Sequence, residues 1–146
     1  MARAFGGKVS RNELGWEVGY SVIDLTPSGV ELLVSGGSAM SQSKTSIHIN
    51  QMHRDIITDI PAGFEVIGSN DNCAAQILVS SDRTIMSMQG HPEYYPAIVR
   101  DIVEVRNKSG IFTDEFAQDV YAKLANGHDG DDIGSMILRF FAAGKV

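Results

Sequence analysis

Apolar residues in this chain recur first at strand-like and then at helical intervals, and the change falls just after residue 93. Trp16 to Leu25 has strand composition and is ended by Thr26-Pro27-Ser28-Gly29. Ile47-His48-Ile49-Asn50-Gln51-Met52 alternates with period two, which predicts a strand running into His53-Arg54-Asp55. Pro61-Ala62-Gly63 is a turn, and short strands follow at Phe64–Gly68, Ala74–Val79 and Thr84–Met88, the last read as buried. Beyond it, Ile98, Val99, Ile102 and Val103 follow helical spacing. So do Phe116, Val120 and Leu124, with Thr113 as N-cap. Ile133, Met136, Ile137, Phe140 and Phe141 mark a last amphipathic helix that starts at Asp131 or Asp132. Met1 to Phe5 reads as the last turn of an apolar helix with Gly6-Gly7 as its C-cap. Val30–Val34 is too short to assign, and Ser35–Ser46 is a Gly- and Ser-rich loop. Nothing resembles a linker long enough to separate two domains. Strands followed by helices leave both α/β and α+β open.

Composition narrows the function classes. A chain of 146 residues, 43% hydrophobic and 21% charged, is long enough for one sizeable core. Twelve basic against eighteen acidic side chains give a net charge of −6 with no Lys/Arg cluster in the sequence, so neither nucleic acid nor a membrane is expected as a partner. A single cysteine cannot form an internal disulfide, and the N-terminus has no apolar signal segment, so a cytoplasmic location is expected.

Three places carry candidate chemistry. In Gly90-His91-Pro92-Glu93, proline holds the residue before it extended, and Glu93 is placed to turn back toward the imidazole of His91. A carboxylate on one ring nitrogen leaves the other free to accept a proton from a nucleophile. The same four residues also suit a plain strand-to-helix turn. His53-Arg54-Asp55 is the second candidate; a kinase catalytic loop is excluded because Ile60 stands where that loop needs asparagine. Cys73, in Asn70-Asp71-Asn72-Cys73-Ala74-Ala75, lacks a small-residue elbow and reads as a structural thiol. Gly36-Gly37-Ser38-Ala39-Met40 fails the nucleophile-elbow pattern at its last position. Asp129-Gly130-Asp131-Asp132 reads as a solvated helix start rather than a calcium loop. His48 and His128 lie in no metal-ligand spacing, so no metal and no cofactor are expected.

Five motifs in series resemble class I glutamine amidotransferases: Ala2-Arg3-Ala4-Phe5-Gly6-Gly7-Lys8-Val9, Gly15-Trp16-Glu17-Val18-Gly19, Met52-His53-Arg54-Asp55, Pro61-Ala62-Gly63-Phe64-Glu65-Val66 and Gly90-His91-Pro92-Glu93. The match is closer to the stand-alone, GMP-synthase-like branch, which includes gamma-glutamyl-peptidase-like proteins. The resemblance implies a flavodoxin-like α/β fold and hydrolysis of the glutamine side-chain amide by a Cys–His–Glu triad. It assigns His91 and Glu93 to that triad, and Met52, Arg54 and Asp55 to the substrate side. Arg54 stands where the family often has glycine. It further implies that residues 1–93 are the C-terminal part of an amidotransferase domain and that residues 94–146 form a helical tail packed on it. The family's Gly-x-Cys-x-Gly-His-Gln elbow has no counterpart here, so the chain is expected to be N-terminally truncated and inactive alone. Glutamine or a gamma-glutamyl compound is then the substrate of the full-length parent, and self-association through an exposed sheet edge is a further expectation.

Overall fold

The computed structural model describes residues 1–33 and 44–143, so Val34 and most of the expected loop, with Gly36-Gly37-Ser38-Ala39-Met40, lie outside the described residues. In chain order the elements are a 3-10 turn (Ala2–Phe5), β1 (Lys8–Arg11), β2 (Glu17–Leu25), α1 (Pro27–Leu33), β3 (Ser46–His53), β4 (Asp55–Asp59), β5 (Phe64–Ser69), β6 (Ile77–Ser80), β7 (Met86–Met88), α2 (Pro96–Lys108), α3 (Asp114–Lys123) and α4 (Gly130–Ala143). Five strands form one curled sheet in the order β3-β2-β5-β6-β7, while β1 and β4 make a separate two-stranded ribbon. Every pairing between these strands is antiparallel.

The period-two pattern of β3 explains how the sheet is covered. Ile47 and Ile49 point to one face, where they pack with Ile23, Ile67, Ile77 and Val79 beneath Leu32 and Leu33 of α1 and Ile133 and Met136 of α4. Met52 points to the other face and joins Val18 beneath Val99 and Val103 of α2 and Ala117 and Val120 of α3. Helices therefore lie on both sides of the sheet, as in a flavodoxin-like sandwich. Gly19 lets α3 lie close against β2. Its φ of +78° suits glycine, and a Cβ there would lie 2.9 Å from Val120. No helix among the described residues is long and apolar enough to cross a membrane.

Several local expectations hold. Gly6 caps the first turn in a left-handed conformation, and the Thr113 side chain accepts from the Phe116 backbone N–H at the start of α3. Others are corrected. The stretch from Pro27 to Leu33 is helical, because its apolar face rests on the sheet around Ile67. The strand expected at Thr84–Met88 is only Met86–Met88 and is half-buried, since it lies at the edge of the sheet. The strand expected at Ala74–Val79 begins only at Ile77, after the bend around Cys73. Asp129 is not solvated: it sits opposite Lys44 at 2.6 Å, accepts from the His48 backbone N–H at 2.7 Å, and so ties α4 to β3.

A polar network is buried at the start of β2. Glu17, 4% exposed, accepts from Asn70 Nδ2 at 2.6 Å and from Gln76 Nε2 at 2.7 Å, and His53 Nε2 lies 3.4 Å from it. Gln51 in turn donates to Gln76 at 3.1 Å. Burial by itself would push the Glu17 carboxyl up, but its contacts with His53, Asn70 and Ser21 outweigh this and hold it below its ordinary value of 4.5.

Two predictions follow from this packing. A Cβ on Gly90 would meet Ile49 side-chain atoms at 2.8 to 3.1 Å, so Gly90→Ala should cost about 1–3 kcal/mol of stability; urea denaturation measures it, and an unchanged midpoint would contradict the contact. A carboxyl lowered by folding stabilises the protein above its unfolded pKa and loses that contribution as pH falls through its folded value. Acid should therefore weaken the fold below about pH 4.5 in part through Glu17. Glu17→Gln should cost about 1–3 kcal/mol at pH 7 and flatten that acid limb, as read by urea melts at neutral and acid pH.

Candidate functional site

β7 ends at Met88, and the chain then turns across the sheet. The Gln89 backbone N–H donates to Gln76 O at 2.9 Å, and the His91 N–H to Asn50 O at 2.8 Å, forming a bridge to β3. The Asn50 side-chain amide donates to Tyr94 O at 2.6 Å, and the Tyr94 N–H donates back to His91 O at 3.1 Å. One strand residue thus holds both ends of the turn that carries His91 and Glu93. Pro96 at the first turn of α2 then starts a helix with its φ already set.

Within that turn, His91 Nδ1 lies 2.8 Å from Glu93 Oε1. The Tyr94 ring stacks on the imidazole, with centroids 4.0 Å apart and planes 9° from parallel. The ring is held on one face and at one nitrogen. Partial burial would raise the Glu93 carboxyl, but the His91 hydrogen bond, a backbone hydrogen bond and the imidazole's charge outweigh it and hold Glu93 below its ordinary value. Ionised at neutral pH, Glu93 fixes the proton on Nδ1 and turns the lone pair onto Nε2, which makes no hydrogen bond among the described residues. The His–Glu pair expected from the sequence therefore forms within hydrogen-bond distance, with a basic nitrogen to spare.

Met52, Arg54 and Asp55 come together in a cleft of about 250 Å³ with Arg11, Trp16 and Arg106. Met52 and Asn50 occupy the same face of β3 two residues apart, so this cleft opens roughly 7 Å along the strand from the residue that anchors His91. Asp55 also accepts at its backbone oxygen from Gln89 Nε2 at 3.0 Å, a direct link between the start of β4 and the turn. The Met52 side chain is largely buried under α2 and α3, whereas Arg54 and Asp55 are exposed. Cys73 sits beside Gln89 but does not line this cleft. It is 2% exposed, and burial together with the Glu17 charge pushes its thiol up, which disfavours a thiolate.

Sequence reasoning missed Asn50, Tyr94, Gln89 and Arg106 as parts of this region. Asn50 sits in a regular strand pattern and Arg106 in a regular helix, so neither announces a role locally. Tyr94, directly after Glu93, was the one legible signal: an aromatic neighbour able to stack on a histidine three residues away.

Residues 1–101 match the family described as glutamine amidotransferase class-I. Over 140 residues, 96% of this chain and 52% of the relative, the sequence is 32% identical to a glutamine amidotransferase-like protein of Schizosaccharomyces pombe. Gamma-glutamyl peptidase 2 of Arabidopsis thaliana is 30% identical over 118 residues, covering 81% of this chain and 45% of that protein. Among solved structures, a glutamine amidotransferase from Methylobacillus flagellatus superposes with a TM-score of 0.70 at 18% identity, over 99% of this chain and 59% of that one, a likeness of fold. The chain spans about half the length of these relatives. With a family match over residues 1–101 and a 32% identical relative along nearly its whole length, this chain belongs to the class-I glutamine amidotransferase family.

Proposed function

We propose that this chain supplies the general base and its orienting carboxylate for hydrolysis of a glutamine or gamma-glutamyl amide. The observation that carries the reading is the 2.8 Å contact between His91 Nδ1 and Glu93, which leaves Nε2 available to a thiol. In this reading a cysteine outside these 146 residues loses its proton to His91 Nε2 and attacks the amide carbon. The imidazolium then protonates the leaving amine as the C–N bond breaks. Water deprotonated by His91 cleaves the resulting thioester and frees the acid and the thiol, and Glu93 stabilises the imidazolium. Met52, Arg54 and Asp55 line the substrate side. Cys73 takes no part, because it is buried and burial disfavours its thiolate. The similarity to a gamma-glutamyl peptidase supports a hydrolase, and that to a GMP synthase of Azoarcus, 33% identical over 95 residues, supports ammonia transfer. The outer edge of β7, unpaired among the described residues, supports a second, non-catalytic role through self-association of two copies.

Ammonia release from L-glutamine tests the first reading. Purified residues 1–146 should give none above the uncatalysed rate, and turnover by them alone would overturn the role given to an outside cysteine. In the longer protein that carries the nucleophile, His91→Ala should lower kcat by about 10²–10⁴-fold with KM changed little. Glu93→Gln should fall in the same direction, and normal kcat in both variants would remove the pair from the mechanism. Self-association is read by size-exclusion chromatography, where a strictly monomeric chain would refute it.

A further inference from the structure

The cleft beside the bend between β3 and β4 is lined by three arginines in a chain whose net charge is −6. Arg11 comes from β1, Arg54 from the turn between β3 and β4, and Arg106 from the last turn of α2, so elements distant in sequence bring like charges together. Two carboxylates are near. Asp55 is shared with Arg11 at 3.3 Å, while Glu17 is already met by Asn70, Gln76 and His53. Arg54 and Arg106 form no salt bridge with any described residue.

Arg106 is held by two aromatic rings. Its guanidinium lies 4.8 Å over the Trp16 ring and 5.7 Å from the Phe112 ring, so its position is fixed by stacking rather than by an acidic partner. Its Nη1 is buried and has no hydrogen-bond acceptor among the described residues. A buried charged donor without an acceptor is costly, and it is the part of Arg106 lining the cleft, not this atom, that a ligand can reach. Stacking satisfies the faces of the guanidinium but none of its N–H groups.

We propose that the Arg11–Arg54–Arg106 cleft is a carboxylate-binding subsite, with Arg106 as its anchoring fork. The planar guanidinium matches a carboxylate in two parallel hydrogen bonds, and Arg11 and Arg54 add charge at the exposed rim. The carboxylate has two possible sources in a gamma-glutamyl compound, the glutamyl α-carboxylate and the C-terminal carboxylate of the departing peptide. That choice of ligand rests on the function proposed above; carboxylate binding itself does not.

Trp16 is the only tryptophan and lies against Arg106, so its fluorescence reports the cleft. The 146-residue chain is titrated with gamma-glutamylglycine, gamma-glutamylglycinamide, succinate and inorganic phosphate. A saturable change with gamma-glutamylglycine is expected, weakened about tenfold or more in Arg106→Gln. Arg106→Lys should fail to restore it, because an ammonium keeps the charge but not the fork. Arg11→Gln, at an exposed position whose ion pair with Asp55 adds little to stability, should weaken binding up to about fivefold. Equal affinity for the amide assigns the glutamyl carboxylate, and loss with the amide assigns the C-terminal one. A response to succinate without one to either gamma-glutamyl ligand keeps the subsite and discards the gamma-glutamyl reading. Unaltered binding in Arg106→Gln, phosphate binding as tight as that of the carboxylates, or no response to any carboxylate overturns the subsite.

Discussion

The candidate site depends on one hydrogen-bonded junction, that between Asn50 and the turn after β7. The Asn50 backbone oxygen receives the His91 N–H at 2.8 Å, and its side-chain amide reaches Tyr94 O at 2.6 Å. Asn50 is 2% exposed, so both bonds are sheltered from water and their loss would leave buried polar groups unmet. Gly90 lets the turn lie flat on Ile49, where any side chain would meet its methyls. With backbone and packing settled in this way, the His91 ring needs little more than Glu93 at one nitrogen and Tyr94 on one face to be held ready.

The same sheet sets the charge of its surroundings. β3 carries Asn50 toward the His91 turn and Met52 toward the arginine-lined cleft, so the two lie within one strand repeat of each other. The buried Glu17 network stands behind this strand, paired with it at His53. Its hydrogen bonds join β2, β3 and the segment from Asn70 to Gln76, and they keep an ionised carboxylate inside the fold while the cleft beside it collects arginines. The Glu17 carboxylate is thus held inward by amides, while Arg11, Arg54 and Arg106 line the cleft with Asp55.

Much of the fold was legible because its signals are local. Thr113 caps α3 through its own side chain, Gly6 supplies the left-handed cap, and the apolar spacing of Ile133, Met136 and Phe140 buries one face of α4. The β1–β4 ribbon was missed, because Lys8-Val9-Ser10-Arg11 is exposed along its whole length and shows no alternation. α1 is stabilised by contact with the sheet and not by its own seven residues, so its pattern was too short to read. Asp129 looked like a solvated helix start because nothing near it in sequence predicts Lys44 or the His48 N–H.

The sequence by itself determined the family, through five motifs in series, and it determined the His91–Glu93 pair, because two residues separated by a proline-fixed step can meet without help from the rest of the chain. Only the tertiary structure decided what surrounds that pair. Asn50 and Tyr94 meet across 44 residues, and Arg11 and Arg106 share a cleft across almost a hundred positions, by way of sheet pairing and helix packing. Periodicity tells which side of an element is apolar. It does not say which distant element will cover that side, and the arginine cleft exists only because α2 and β1 end beside the same bend between β3 and β4.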